Sequence, residues 1–206
     1  MIPVGTVRIE QEVKRSRFIA RLGRAVDRPA AMAFLHAARR ADNGANHHCW
    51  AFIAGNPASS GVLGMNDDGE PSGTAGRPIL NALQYSGVGE IVAVVSRYFG
   101  GTKLGTGGLV RAYRGAVQQA LTELTKEPFV ERIDNLIRLP FALEDPVRRL
   151  LNDLQLDVAT ADYNNEVTLR VAVATDRVAD LEKKLCDCCQ GKFRMQPVEK
   201  SFAEDG

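Results

Sequence analysis

Hydrophobic and polar positions alternate along residues 6–13, with Val7, Ile9, Gln11 and Val13 on one side and Thr6, Arg8, Glu10 and Glu12 on the other. A period of two predicts a half-buried strand. Residues 16–22 are expected to close a hairpin with it, placing Phe18, Ala20 and Leu22 inward and Arg15, Arg17 and Arg21 outward. Asp27 and Pro29 then open a helix in which Ala31, Phe34, Leu35 and Ala38 recur at helical spacing. Residues 47–55 (HHCWAFIAG) read as a strand, with 62–65 as a short partner, and a helix is predicted over about 76–85. The nearly continuous apolar run of 90–98 predicts a central strand. Leu109, Ala112, Tyr113, Ala116, Val117, Ala120, Leu121 and Leu124 mark the inner face of a long helix, with Arg111, Arg114 and Gln118 on the other.

Lys126-Glu127-Pro128 ends that helix and sets the expected division, residues 1–127 and 128–206. The second part reads strand 132–139, helix 146–156, strand 157–163, strand 166–174, helix 176–188 and strand 192–198. This βαββαβ order is the ferredoxin-like pattern. The fold class is therefore α+β in two domains.

Fifteen of the 19 glycines fall between Gly44 and Gly115, most of them in or near two loops that each lead into a predicted helix. These loops are NDDGEPSGTAGRP (residues 66–78) and RYFGGTKLGTGG (residues 97–108). Glycine permits sharp bends and close approach at an entropic cost, which points to a shared surface site. In the second loop Gly100, Gly101, Gly105, Gly107 and Gly108 would aim backbone amides at an anion, aided by the following helix N-terminus. Arg97, Lys103, Arg111 and Arg114 would add charge-assisted contacts. The alternative is a tight strand-to-helix turn that needs glycine for packing. The spacing matches neither a P-loop nor a dinucleotide fingerprint, so ATP and NAD are not expected. In the first loop Asp67, Asp68, Glu70, Ser72, Thr74 and Arg77 form the opposite wall. Its acids would hold Mg²⁺, or pair with Arg97, Lys103 or Arg77 and leave no vacancy.

His47 and His48 are possible neighbours of the site, but on a strand they face opposite sides. Ser72 lacks a nucleophile elbow, and no zinc-protease or zinc-deaminase spacing occurs, so no catalytic residue is assigned.

The net charge of +1 conceals an asymmetry: residues 1–126 carry 15 Lys/Arg against 9 Asp/Glu, and residues 127–206 carry 11 against 16. The basic half favours a polyanion. Arg8, Arg15, Arg17 and Arg21 are a candidate basic face, with Tyr98, Phe99 and Tyr113 available for base stacking. Cys186, Cys188 and Cys189 crowd too closely for disulfides, Cys49 stands alone, and no metal or other cofactor is expected. No run of about 18 apolar residues is present and the N-terminal segment lacks a signal-peptide core, so a cytoplasmic chain without membrane contact is expected.

KRSRFIA (residues 14–20), NHHCWAFIAG (46–55), the first loop and VVSRYFGGTKLGTGGLVRAY (94–113) together resemble the signature of the YigZ/IMPACT family. The resemblance covers most of the first domain. It implies a two-layer α/β first domain with an unusual crossover, similar to domain IV of elongation factor G, and a second domain similar to that factor's domain V. Its similarity to translation factors suggests RNA or ribosome binding. The leading expectation is a non-enzymatic, translation-linked regulator with RNA or a ribosome-associated protein as partner, and no sequence-specific DNA binding is expected. A small-molecule enzyme acting on a phosphorylated or carboxylate substrate is the alternative.

Overall fold

The computed structural model describes residues 1–56 and 62–198. The chain divides into two compact units, Met1–Phe129 and Val130–Gly206.

The first unit holds strands β1 (Ile2–Pro3), β2 (Thr6–Val13) and β3 (Ser16–Arg24), helix α1 (Arg28–Ala41), and strands β4 (His47–Ile53) and β5 (Leu63–Asn66). Helix α2 (Gly76–Ser86), strand β6 (Ile91–Tyr98), helix α3 (Thr106–Glu123) and strand β7 (Lys126–Glu127) follow. Five strands form an antiparallel sheet in the order β2-β3-β6-β4-β5, so β6 enters between two strands that precede it in the chain. That central place explains its apolar run, because Val92 and Val94 face one side while Ile91, Ala93 and Val95 face the other. Helices α2 and α3 cover the second of these sides, with Ile79, Leu83, Tyr113, Ala116 and Val117 packed on Phe18, Ala20 and Leu22. Helix α1 covers the first, through Ala31, Leu35 and Ala38 against Phe52 and Val94. The sheet thus carries helices on both faces, adding a layer to the two that the resemblance implies.

Asp27 caps α1 as its position before Pro29 suggests, its carboxylate accepting the Ala30 N–H at 2.8 Å. Lys126–Glu127, read as the helix breaker, is a strand that pairs with Ile2–Pro3 and holds the two ends of this unit together.

The second unit holds β8 (Arg132–Leu139), α4 (Glu144–Asp153), β9 (Val158–Tyr163), β10 (Val167–Ala174), α5 (Val178–Cys189) and β11 (Arg194–Pro197). Its sheet runs β11-β8-β10-β9, all antiparallel, which is the ferredoxin-like arrangement. Val147, Leu151, Leu181 and Leu185 of its two helices bury against Ile137, Leu139, Leu169 and Val171. Helix α4 starts before its expected residue and α5 after it, each directly behind a short 3₁₀ turn (Phe141–Leu143 and Thr175–Arg177). Among the described residues no helix is long and apolar enough to cross a membrane.

Candidate nucleic-acid interface

The two glycine loops meet at the end of β6, and a buried carboxylate joins them. Arg97 lies at i+2 from Val95, so the strand's period turns it toward the α2/α3 side. Its Nη1 donates to Glu70 Oε1 of the first loop at 2.6 Å, and the same oxygen accepts the Tyr113 hydroxyl at 2.7 Å. Tyr113 in turn accepts from the Cys49 thiol at 3.3 Å, while that thiol also reaches the Asp67 carbonyl at 2.9 Å. Burial pushes the Cys49 thiol up to about 12, and it lifts the Tyr113 hydroxyl as well, so both stay protonated donors at neutral pH. The guanidinium of Arg97 lies 5.6 Å from the ring centres of both Phe18 and Phe99. Its Nε is buried with no hydrogen-bond partner among the described residues.

Every acid of the first loop is engaged. Asp67 sits at the start of α2 and accepts the N–H groups of Gly73, Ala75 and Gly76 at 2.7–3.0 Å. Burial alone would raise its carboxyl; those three N–H donors outweigh it and hold the group below its ordinary value. Asp68 pairs with Arg39 at 2.7 Å and accepts the His48 N–H at 2.6 Å. Thr74 donates to the Pro71 carbonyl, whereas Ser72 and Arg77 are exposed. Of the expected pairs, Glu70 with Arg97 forms, while Asp68 takes Arg39 instead and Asp67 takes backbone N–H groups. Among the described residues no group of three or more His, Cys, Asp or Glu is placed to hold a metal ion.

His47 and His48 do take opposite faces. A ring nitrogen of His47 meets the Asp68 carbonyl at 2.8 Å, and one of His48 meets the Ser96 hydroxyl at 3.0 Å. Burial holds the His48 imidazole below its ordinary value. Cys49 bonds Asp67 and Tyr113 rather than either histidine, so no thiol–imidazole pair forms.

The second loop is different. Gly105 precedes α3 with φ 73° and ψ 165°, a backbone region open essentially to glycine alone. Among the described residues no side chain accepts from the leading amides of this helix and its first turn holds no acid, whereas at α2, whose first turn also lacks an acid, Asp67 of the preceding loop accepts the Ala75 and Gly76 N–H groups. Its leading amides lack intrahelical acceptors by geometry. Gly107 and Gly108 lie in that turn, and a Cβ on Gly107 would sit only 3.7 Å from the Arg111 guanidinium. A cation therefore leans over a helix end that is itself partially positive. Lys103, Arg111 and Arg114 are exposed, and none has an ion-pair partner among the described residues. Arg97, expected among these cations, is corrected to an interior residue because Glu70 neutralises it below the surface.

The hairpin expected of residues 6–13 and 16–22 adds a contributor whose place beside the second loop the sequence reading did not foresee. Val13 pairs with Ser16, so Lys14 and Arg15 form a two-residue turn, with φ of 48° and 67°. Both are left-handed, as a type I′ hairpin turn requires, yet neither is Asn, Asp or Gly. This turn lies against the second loop: a Cβ on Gly100 would fall 1.9 Å from the Arg15 carbonyl oxygen. Ser16 completes the joint, its hydroxyl accepting the Gly100 N–H at 3.2 Å. Between hairpin and helix runs a groove of about 200 Å³, lined by Val13, Lys14, Leu104, Gly108 and Arg111. Gln11 fixes its floor by donating to the Ala112 carbonyl at 2.8 Å.

Arg8, Arg17 and Arg21 of the candidate basic strand face have acidic neighbours. Arg8 and Arg17 both pair with Glu10, and Arg21 makes a two-pronged contact with Asp42. A second hollow of about 240 Å³ opens beside Arg21, between β2 and α1, with largely apolar walls including Phe34, Ala38 and Ala41.

Comparison with known proteins bears on the family and on the two units. The Impact N-terminal domain matches residues 14–121, and a domain of unknown function (DUF1949) matches residues 137–192. IMPACT family member YigZ of Escherichia coli (strain K12) is 42% identical over 200 residues, covering 97% of this chain and 98% of the relative. IMPACT family member YvyE of Bacillus subtilis (strain 168) is 31% identical over 197 residues, covering 93% and 88%. A solved structure described as a hypothetical protein superposes with a TM-score of 0.83 at 41% identity, covering 97% of both chains. Two domain matches in order and relatives aligned over nearly their whole length carry the assignment: the chain belongs to the YigZ/IMPACT family.

Proposed function

We propose that the first unit binds RNA through its phosphate backbone, at the groove between the Lys14–Arg15 turn and the start of α3. The observation that carries this reading is the contrast between two neighbouring helix ends. The α2 end is filled by the chain's own Asp67, whereas the α3 end is uncapped and overhung by Arg111. Like partial charges gathered without a resident anion favour a phosphate or other anion from outside. The Lys14–Arg15 turn supports the same reading, since cations occupy backbone positions better suited to Asn-Gly. Strain of this kind at an exposed charged turn points toward function rather than folding. A translation-linked regulatory role, as the family resemblance implies, would act through this contact. A cytoplasmic setting fits such a partner. The described acids of the first loop are all engaged, and nothing favours the enzymatic alternative.

The test is a salt titration of single-stranded RNA binding by fluorescence anisotropy. Affinity is expected to fall linearly on logarithmic axes with added salt. Lys103→Ala and Arg111→Ala should each reduce the slope by about 0.7 if each side chain meets one phosphate. Absence of binding at low salt, or an affinity indifferent to salt, refutes the reading.

A further inference from the structure

Resting on the phosphate reading above, we infer that Phe99 is a base-stacking platform, so that the preferred ligand is single-stranded rather than duplex nucleic acid. Three aromatic residues stand near the second loop, and the structure separates them. Tyr113 is fully buried, with its hydroxyl committed to Glu70. Tyr98 is half-buried and carries the Arg17 guanidinium over its ring at 4.8 Å. Phe99 alone of the three stays open, with 48% of its surface exposed.

An exposed phenylalanine is unremarkable by itself. What marks Phe99 is how firmly the fold holds it. Its N–H donates to the Asn46 side chain at 2.8 Å, and the Asn46 N–H donates to the Arg97 carbonyl at 2.8 Å, so two bonds fix the backbone on either side of Tyr98. The guanidinium of Arg97, pinned by Glu70, lies 5.6 Å from the ring centre. A planar cation behind an aromatic ring supports it without hydrophobic cover. The next residue, Gly100, is in contact with the Arg15 backbone, which puts the ring one residue from the basic turn. A flat apolar surface beside cations that have no ion-pair partner among the described residues matches a nucleotide: base on the ring, phosphates on the turn and the α3 end. Bases in a duplex are stacked on one another and do not present that face, so an unpaired strand is selected.

The experiment compares three probes at low salt with the full chain. They are a mixed-sequence RNA of about twelve nucleotides, within the range of sites that combine stacking with a basic groove, an abasic strand of the same length, and the corresponding duplex. The wild-type chain should bind the single strand about tenfold more tightly than the abasic strand, the value of one stacked base. Phe99→Leu should remove that tenfold and leave abasic binding unchanged, while Phe99→Trp should retain it. The emission of Trp50, in the same unit, checks that Phe99→Leu is folded, and circular dichroism checks Phe99→Trp, which adds a second tryptophan. Equal affinity of the wild-type chain for the base-bearing and abasic strands, or an unaltered Phe99→Leu, overturns the inference while the phosphate reading stands. Tighter binding of duplex than of single strand overturns it too. Failure to bind any of the three probes refutes both.

Discussion

Glu70 and Arg97 form an ion pair at 2.6 Å with 3% and 7% of their side chains exposed, and this pair joins the two glycine loops. Removing one partner of a buried pair leaves an uncompensated charge, at a cost of about 3–5 kcal/mol. Arg97→Met should therefore destabilise the first unit strongly. Arg97→Met combined with Glu70→Gln should cost much less than the two single changes summed. The measurement is urea unfolding followed by the emission of Trp50, the chain's only tryptophan. Additive costs would show that the contact carries no coupling.

The Lys14–Arg15 turn separates folding from binding. Replacing it with Asn-Gly (K14N/R15G) supplies residues that tolerate left-handed backbone, and should raise stability by about 1 kcal/mol. The same exchange removes two cations beside the groove and should weaken RNA affinity while flattening its salt dependence. A double variant that is stabilised and still binds as well as the wild type would exclude the turn from the interface.

Asp67 makes the first unit acid-sensitive in a defined direction. Its carboxyl is held low in the fold, so between the folded value and the unfolded value near about 4 the unfolded chain binds more protons. The stability it contributes is present above that window and lost as pH falls through it. Asp67→Asn should cost about 1 kcal/mol at pH 7, and the difference from wild type should shrink toward zero in acid. Denaturation at a series of pH values reads this directly. A gap between the two proteins that stays constant with pH would contradict the assignment.

Gly100 is the glycine with the least room. An added Cβ would meet the Arg15 carbonyl oxygen at 1.9 Å and its carbon at 2.1 Å, both backbone atoms that cannot rotate away. Gly100→Ala should cost about 3 kcal/mol, as overpacking does at its upper range. Gly101→Ala meets no atom within 4 Å but takes φ 83°, so its cost is conformational and smaller. Thermal unfolding of the pair ranks them. Equal losses would mean that close approach is not what Gly100 provides.

Much of this was legible because period and burial agree. Val7, Ile9, Phe18, Ala20 and Leu22 fall on the expected side, and the βαββαβ order of the second unit follows from helical and strand spacing alone. Arg97 was readable in principle, since it shares a strand face with Ala93 and Val95. Its charge suggested the surface, and although pairing of a first-loop acid with Arg97 was one of the two readings of that loop, nothing in the local pattern singles out Glu70, 27 residues away, or says that the pair is buried. The expected hairpin leaves Lys14 and Arg15 as its connection, but their left-handed backbone and their place against Gly100 emerge only in the fold, since neither is a turn-forming residue. Pairing of Ile2–Pro3 with Lys126–Glu127 rests on two residues per strand, too short for any periodicity to register.

That last pairing has a topological consequence. Because Ile2 sits opposite Glu127, the first unit is closed into a ring but for one missing link. A short peptide joining its two ends would leave every strand neighbour intact, and new ends could then be opened at an exposed turn such as Asn43–Gly44. The order in which its elements leave the ribosome is thus separable from the architecture they build.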